Sequence, residues 1–299
     1  MASKGRMFAG CTVALDTPFK NDGVDFEALA ASVDWQIAQG TPVLSPVGTT
    51  GESPTLTHDE HERVIAAVVE RARGRAKVMA GTGSNSTAEA VRLTKFAAEA
   101  GADAALVVAP YYNRPTQEGL YAHFARIAES VDLPLVLYNV PSRTGRNVEP
   151  ETVERLAKVG AVVAVKEASG SLDQVSELLV RTDLTVLSGD DTLTLPMLAV
   201  GAEGVVSVAA NVVPKDVIAL VDAFRRGDLA EARRLHLKLY PLCRDLLGAA
   251  PNPIPVKTAL ALLGRGNAEM RLPLCPAEPK AVEAVRRALT LYGLIGGDG

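Results

Sequence analysis

The sequence predicts an α/β fold, a (β/α)8 barrel followed by a C-terminal helical extension, on three observations. Eight β-like runs recur along the first two-thirds of the 299 residues, seven of them followed by a helical segment before the next. Most runs are continuously apolar, the pattern of parallel strands covered on both faces. After about residue 227 no run of comparable strength recurs and the pattern turns helical. A doubly wound sheet is the other arrangement of such units, but no Gly-rich nucleotide fingerprint follows the first run. The expected division is a barrel over 1–226 and a helical unit over 227–299.

In chain order the runs are "FAGCTVAL" (8–15), "PVLSPV" (42–47), "KVMAGTG" (77–83), "AALVVAP" (104–110), "PLVLYNV" (134–140), "VVAVKEA" (162–168), "TVLSGDD" (185–191) and "GVVSVAA" (204–210). Between them, "VDFEALAASVDWQIAQG" has helical periodicity and closes on Gly40, a C′ glycine. "THDEHERVIAAVVERARG" opens with Thr57 and places Glu60 three residues on, the spacing of a capping box. "STAEAVRLTKFAAEAG" repeats the device with Ser86 and Glu89 and ends at Gly101. Beyond the barrel, "DLAEARRLHLKLYPLCRDLLG" and "PKAVEAVRRALTLYGLI" are helical, joined by the Pro-rich "APNPIPVKTALALLG".

Composition narrows the functional classes. Hydrophobic residues make up 47% of the chain and charged residues 22%, with a net charge of -4. Lys and Arg are scattered among acidic residues, which leaves no basic stripe for nucleic acid. Cys11, Cys243 and Cys275 fit neither a disulfide framework nor a zinc-ligand spacing, so reduced thiols are expected. The N-terminal "MASKGRMFAG" lacks the apolar core of a signal peptide, and no uninterrupted apolar stretch reaches membrane-spanning length. A cytoplasmic protein is expected.

In such a barrel the C-terminal strand ends converge on one mouth, where chemistry resides. Those ends supply Thr49, Thr50 and Glu52 in "GTTGES", Tyr111 and Tyr112 in "PYYNRP", Tyr138 and Arg143 in "YNVPSRTG", Lys166 in "VKEASG", and the acidic pair of "SGDD". Alternation puts Val162, Ala164 and Lys166 on one face, as it does Val136 and Tyr138. If those faces point inward, a lysine and a tyrosine meet at the mouth. Desolvation there favours the neutral amine, which attacks ketones to form a Schiff base. A neighbouring tyrosine can pass the protons this needs. The pattern alone leaves other readings open: Lys166 as the ion-pair partner of Glu167, Arg143 as a surface loop residue, GTTGE as a tight connection. His58 and His61 lack further ligands nearby, so no metal site is expected. His123 and His236 lie within helical patterns and are expected to be structural.

Together, "PVGTTGES", "PYYNRPTQEGLYAHF", "LYNVPSRTG", "VKEASG" and "LSGDD", in this order and spacing, resemble the dihydrodipicolinate synthase family. These are pyruvate-dependent class I aldolases, in one superfamily with N-acetylneuraminate lyase. The resemblance runs from about Gly10 through "PNPIPVKTALALLG". It implies a lyase that condenses pyruvate with L-aspartate 4-semialdehyde to 4-hydroxy-tetrahydrodipicolinate with no metal or organic cofactor. It implies that Lys166 forms the imine, that Tyr138 is the general acid/base, and that Thr49 hydrogen-bonds Tyr138 and passes protons toward Tyr112. Tyr112 would reach in from a neighbouring subunit of a homotetramer built as a dimer of dimers. Thr50, with the backbone of its turn, would hold the pyruvate carboxylate, an anion suited to successive N–H groups.

Arg143 would hold the semialdehyde carboxylate through two parallel hydrogen bonds. Gly189 and Val206 would line the site by close backbone approach; the family often has isoleucine at the latter position. Ser53, Pro54, His58, His61, Asn85, Glu89 and Tyr111 match positions that bind L-lysine in feedback-inhibited members, although the cap with Ser86 also accounts for Glu89. Sialic-acid lyases share the lysine and tyrosine but typically read "GSTGE" and lack "PSRTG". The alternatives are another pyruvate-dependent aldolase acting on sugar acids, and a barrel that binds a metabolite without catalysis. The set Lys166, Tyr138, Thr49 and Tyr112 argues against the second, because a binding module has no use for a proton relay.

Overall fold

The structure, a computed structural model, describes residues 3–296. Eight parallel strands form a closed barrel: β1 (Gly10–Ala14), β2 (Val43–Ser45), β3 (Lys77–Gly81), β4 (Ala104–Val108), β5 (Leu135–Asn139), β6 (Val162–Glu167), β7 (Thr185–Ser188) and β8 (Gly204–Ser207). Each strand neighbours those before and after it in sequence, and β1 closes the ring by pairing with both β2 and β8. Every expected run contains one strand. The strands stop short of the runs' C-terminal ends, as at Ser188 in the seventh, because Gly, Pro and polar residues there release the chain into the loops of the mouth.

A short hairpin, Phe19–Lys20 with Gly23–Val24, was not legible as a periodic run because each arm has two residues. Its turn residues Asn21 and Asp22 both have positive φ, 53° and 63°, the backbone a tight two-residue hairpin requires.

The crossovers are α1 (Phe26–Ala38), α2 (His58–Ala72), α3 (Thr87–Glu99), α4 (Gln117–Ser130), the short α5 (Pro141–Thr144) with α6 (Pro150–Leu156), α7 (Leu172–Arg181) and α8 (Thr194–Val200); α9 (Pro214–Arg225) follows β8. The capping box of α2 is present: Glu60 N donates to Thr57 Oγ1 at 3.2 Å and Thr57 N donates to Glu60 Oε2 at 3.0 Å. The second expected box is only half made. Glu89 N reaches Ser86 Oγ at 3.5 Å, but the Glu89 carboxylate turns to Ser84 and His58 instead of back to its cap. Ser84 Oγ stands between the two, accepting the Ser86 N–H at 3.0 Å and donating to the Glu89 carboxylate.

Alternation along the strands makes two cores. Inward residues, among them Met79, Leu106, Val136, Ala164, Leu187 and Val206, fill the barrel above Phe8. Outward residues such as Val13, Leu44, Val107 and Val165 pack under the helices. After α9, α10 (Leu229–Gly248) packs on α9, and α11 (Ile254–Leu262) and α12 (Pro279–Tyr292) complete the helical extension. The link between α10 and α11 brings Asn252 to the barrel mouth. No described helix is long and apolar enough to cross a membrane. All three cysteines are unpaired.

Candidate active site

The centre of the site is set by β5 and β6. Their register pairs Tyr138 with Lys166 and Asn139 with Glu167. Tyr138 and Lys166 therefore face the interior, both buried, with Lys166 Nζ 4.0 Å from the Tyr138 ring centroid. A cation over a ring face is attracted by its quadrupole. Glu167 points the other way, where its oxygens accept N–H groups from Asn139, Gln174 and Ser169. The two side chains diverge, so the Lys166–Glu167 ion pair left open by the sequence does not form. Gly189, just past β7, leaves space for the lysine: a Cβ there would lie 3.2 Å from Lys166 Cε and 2.7 Å from Ala168 Cβ.

The turn after β2 brings Thr49 and Thr50 to the same cavity as Tyr138, Arg143 and Lys166. Thr50 Oγ1 accepts a 3.0 Å hydrogen bond from Asn252 Nδ2. Arg143, on α5, is exposed and its Nη2 lies 3.5 Å from the main-chain oxygen of Asn252. Among the described residues no hydrogen bond joins Thr49 to Tyr138, although both line this cavity. Tyr112, the third expected member, stands 90% exposed on the loop after β4 with φ of 72°. Val206 is buried in the inner core, opposite Thr12 in the β1–β8 register, and Val208, just past the end of β8, lines the cavity.

A second cavity shares Thr49, Tyr138 and Arg143 with the first and is walled by Ser53, Pro54 and Tyr111. Nearby, Glu89 accepts a hydrogen bond from Ser84 and pairs with His58; these contacts hold its carboxyl below the usual range. His61 is buried with Nε2 2.8 Å from the Gly81 oxygen, and burial pushes its pKa down. Its Nε2 is then the protonated nitrogen of a neutral ring. Asn85 enters through its main-chain oxygen, which accepts from Asn113 Nδ2 at 2.9 Å. Among the described residues no cluster of His, Cys, Asp or Glu could hold a metal ion.

A model of the Dihydrodipicolinate synthetase family matches residues 7–291. The chain belongs to that family. It is 54% identical over 292 residues, 97% of its length and 100% of the relative's, to the 4-hydroxy-tetrahydrodipicolinate synthase of Syntrophus aciditrophicus. Among solved structures, the dihydrodipicolinate synthase from Aquifex aeolicus superposes with a TM-score of 0.94 at 50% identity, over 96% of this chain and 99% of that one. The synthase from Cyanidioschyzon merolae, solved with lysine bound, gives 0.94 at 40% identity over 97% and 99%.

The synthase fold also places residues at the mouth that periodicity did not single out. Lys257 of α11 makes a fully buried ion pair with Glu52 of the GTTGE turn and donates to the Glu269 oxygen at 3.0 Å. Its ammonium also lies 4.2 Å from the Phe19 ring centroid. Ser45, the inward residue at the end of β2, lines the Lys166 cavity with a buried hydroxyl that has no hydrogen-bond partner among the described residues. Strand alternation was the signal for Ser45. No local signal joins Lys257 or Asn252 to a turn about 200 residues away.

Proposed function

We propose that the chain is a 4-hydroxy-tetrahydrodipicolinate synthase, condensing pyruvate with L-aspartate 4-semialdehyde through a Schiff base on Lys166. The observation that carries this is a buried lysine at a barrel mouth, against a tyrosine ring and with no carboxylate partner among the described residues. A lysine so placed, beside a phenol that can carry protons, is suited to attack a carbonyl.

The Lys166 amine adds to the pyruvate ketone, and loss of water gives the imine. Tyr138 delivers the proton that leaves with the hydroxyl and accepts one as the C–N double bond forms. Removal of a C3 proton yields the enamine, which attacks the aldehyde carbon of the second substrate. Its oxygen takes up a proton, and the substrate's amino group then displaces Lys166 as the ring closes. Thr50 and the N–H groups of its turn hold the pyruvate carboxylate, and Arg143 holds that of the semialdehyde. Gly189 and Val206 line the site by close backbone approach, and Val208 adds to the cavity wall.

Thr49 links Tyr138 to Tyr112 of a second copy. The exposure of Tyr112 and the open cavity beside Thr49 and Tyr138 support this assignment, and the working assembly is a cytoplasmic homotetramer built from dimers. Catalysis belongs to the barrel of residues 1–226, with 227–299 contributing Asn252 and Lys257. L-lysine is the effector, at Ser53, Pro54, His58, His61, Asn85, Glu89 and Tyr111. A carboxylate, a phenol and two imidazoles suit a zwitterion, and the shared cavity wall supplies a route to the site. Saturating L-lysine lowers the steady-state rate, and Glu89→Ala relieves the effect; an unchanged rate in the parent enzyme would remove the effector assignment.

The test of the main reading is borohydride reduction in the presence of pyruvate, with the added mass located by peptide mass spectrometry. An adduct on Lys166 is expected. Its absence from folded protein would bring forward the barrel that binds without catalysis. Arg143→Ala separates the synthase from a sugar-acid aldolase: imine trapping persists while turnover of the semialdehyde collapses. Full synthase activity in that variant would overturn the substrate assignment.

A further inference from the structure

The residues next in sequence to Tyr138 and Lys166 are also a pair. Asn139 and Glu167 face each other in the β5–β6 register, one rung beyond the site and on the opposite side of the strands. Both are buried, at 1% and 2% exposure. Asn139 Nδ2 donates to the Glu167 oxygens at 3.2 and 3.0 Å. Gln174 Nε2 donates to Glu167 Oε2 at 3.0 Å and Ser169 N to Oε1 at 2.6 Å. Asn139 is itself held from both ends: its Oδ1 accepts from Val148 N at 3.0 Å and its Nδ2 reaches Asn147 Oδ1 at 2.8 Å. Asn147 Nδ2 closes the ring on Gln174 Oε1 at 2.8 Å.

Among the described residues every hydrogen bond to the Glu167 carboxylate comes from an N–H of Asn139, Gln174 or Ser169, none from a lysine or arginine, so an acceptor-only carboxylate completes the set. Such a network, satisfied throughout, rigidifies the elements it joins. Here it locks the last rungs of β5 and β6, whose inward side chains are Tyr138 and Lys166. We propose that Glu167, with Asn139 and Gln174, is a positioning group that fixes Lys166 against Tyr138 for imine formation. The proposal rests on the Schiff-base role of Lys166 given above.

The substitution Glu167→Gln keeps the shape but turns an N–H group onto the donors of Gln174 and Asn139. The rate at which borohydride-trapped pyruvate accumulates on Lys166 is expected to fall about 10- to 100-fold, since a misplacement on the order of 1 Å can cost about 100-fold. The turnover number falls with it, at temperatures well below unfolding. The double substitution Glu167→Gln with Gln174→Glu exchanges donor and acceptor across the same contact and is expected to recover most of the trapping rate. A merely structural role predicts a lowered melting temperature with unchanged trapping by the folded enzyme, and that result overturns the proposal. If Glu167→Gln does not fold, Gln174→Met removes one donor at the edge of the network, and an unchanged trapping rate there is equally fatal. Failure of the parent enzyme to trap pyruvate on Lys166 would instead remove the Schiff-base reading itself.

Discussion

Burying Lys166 without a carboxylate has consequences that single substitutions expose. Lys166→Ala is expected to abolish the trapped adduct and turnover together. Gly189→Ala keeps the lysine but presses a methyl group against its Cε and against the Ala168 Cβ. Neither neighbour can retreat freely, so a loss of about tenfold or more in trapping rate is expected, measured beside a melting curve. His123 gives a prediction of a different kind. Its Nδ1 lies 2.9 Å from Thr87 Oγ1, and burial pushes its pKa down from 6.5 to about 4. The unfolded chain takes up that proton first, so stability is fully present above about 6.5 and is lost as pH falls toward 4. The loss is on the order of 3 kcal/mol by linkage. Urea unfolding at pH 7 and pH 4.5 should show His123→Phe losing less stability over this range than the parent protein.

At the scale of elements, caps and one buried ion pair tie the loops of the mouth to the scaffold. Thr57→Ala removes the side-chain half of the α2 box and should cost about 1 kcal/mol, read by denaturant unfolding. The Glu52–Lys257 pair joins the turn carrying Thr49 and Thr50 to α11, with both side chains at 1% exposure or less. Removing either partner alone strands a charge and should cost about 3–5 kcal/mol, whereas replacing both by methionine should cost less than either single change. A double-mutant cycle measures the difference. The helices show where sequence was enough and where it was not. The Thr57–Glu60 spacing specified a local hydrogen-bond pair, and it formed. The Ser86–Glu89 spacing specified the same pair, but Ser84 and His58 compete for the carboxylate, and the contact with His58 depends on how α2 and α3 pack.

For the molecule as a whole, the proposed shared site, in which the exposed Tyr112 serves a second copy, has a direct test. Mixing and reassociating inactive Tyr112→Phe subunits with inactive Lys166→Ala subunits should restore activity, because a hybrid dimer holds one site with both residues intact. No recovery in verified hybrids would remove the shared-site assignment. The barrel was legible from the sequence because eight apolar runs separated by capped helices leave few ways to bury both faces of every strand. Strand alternation likewise sufficed to bring Tyr138 and Lys166 together, since adjacent strands of known direction need only one register. The tertiary structure alone decided the rest: that Glu167 turns away from Lys166 into its own network, that Val208 lines the cavity past the end of β8, and that Asn252 and Lys257 reach the GTTGE turn. Periodicity reports which face of an element is buried, a local property. Which distant side chain meets that face depends on how the closed barrel and the returning C-terminal chain pack, which no local pattern encodes.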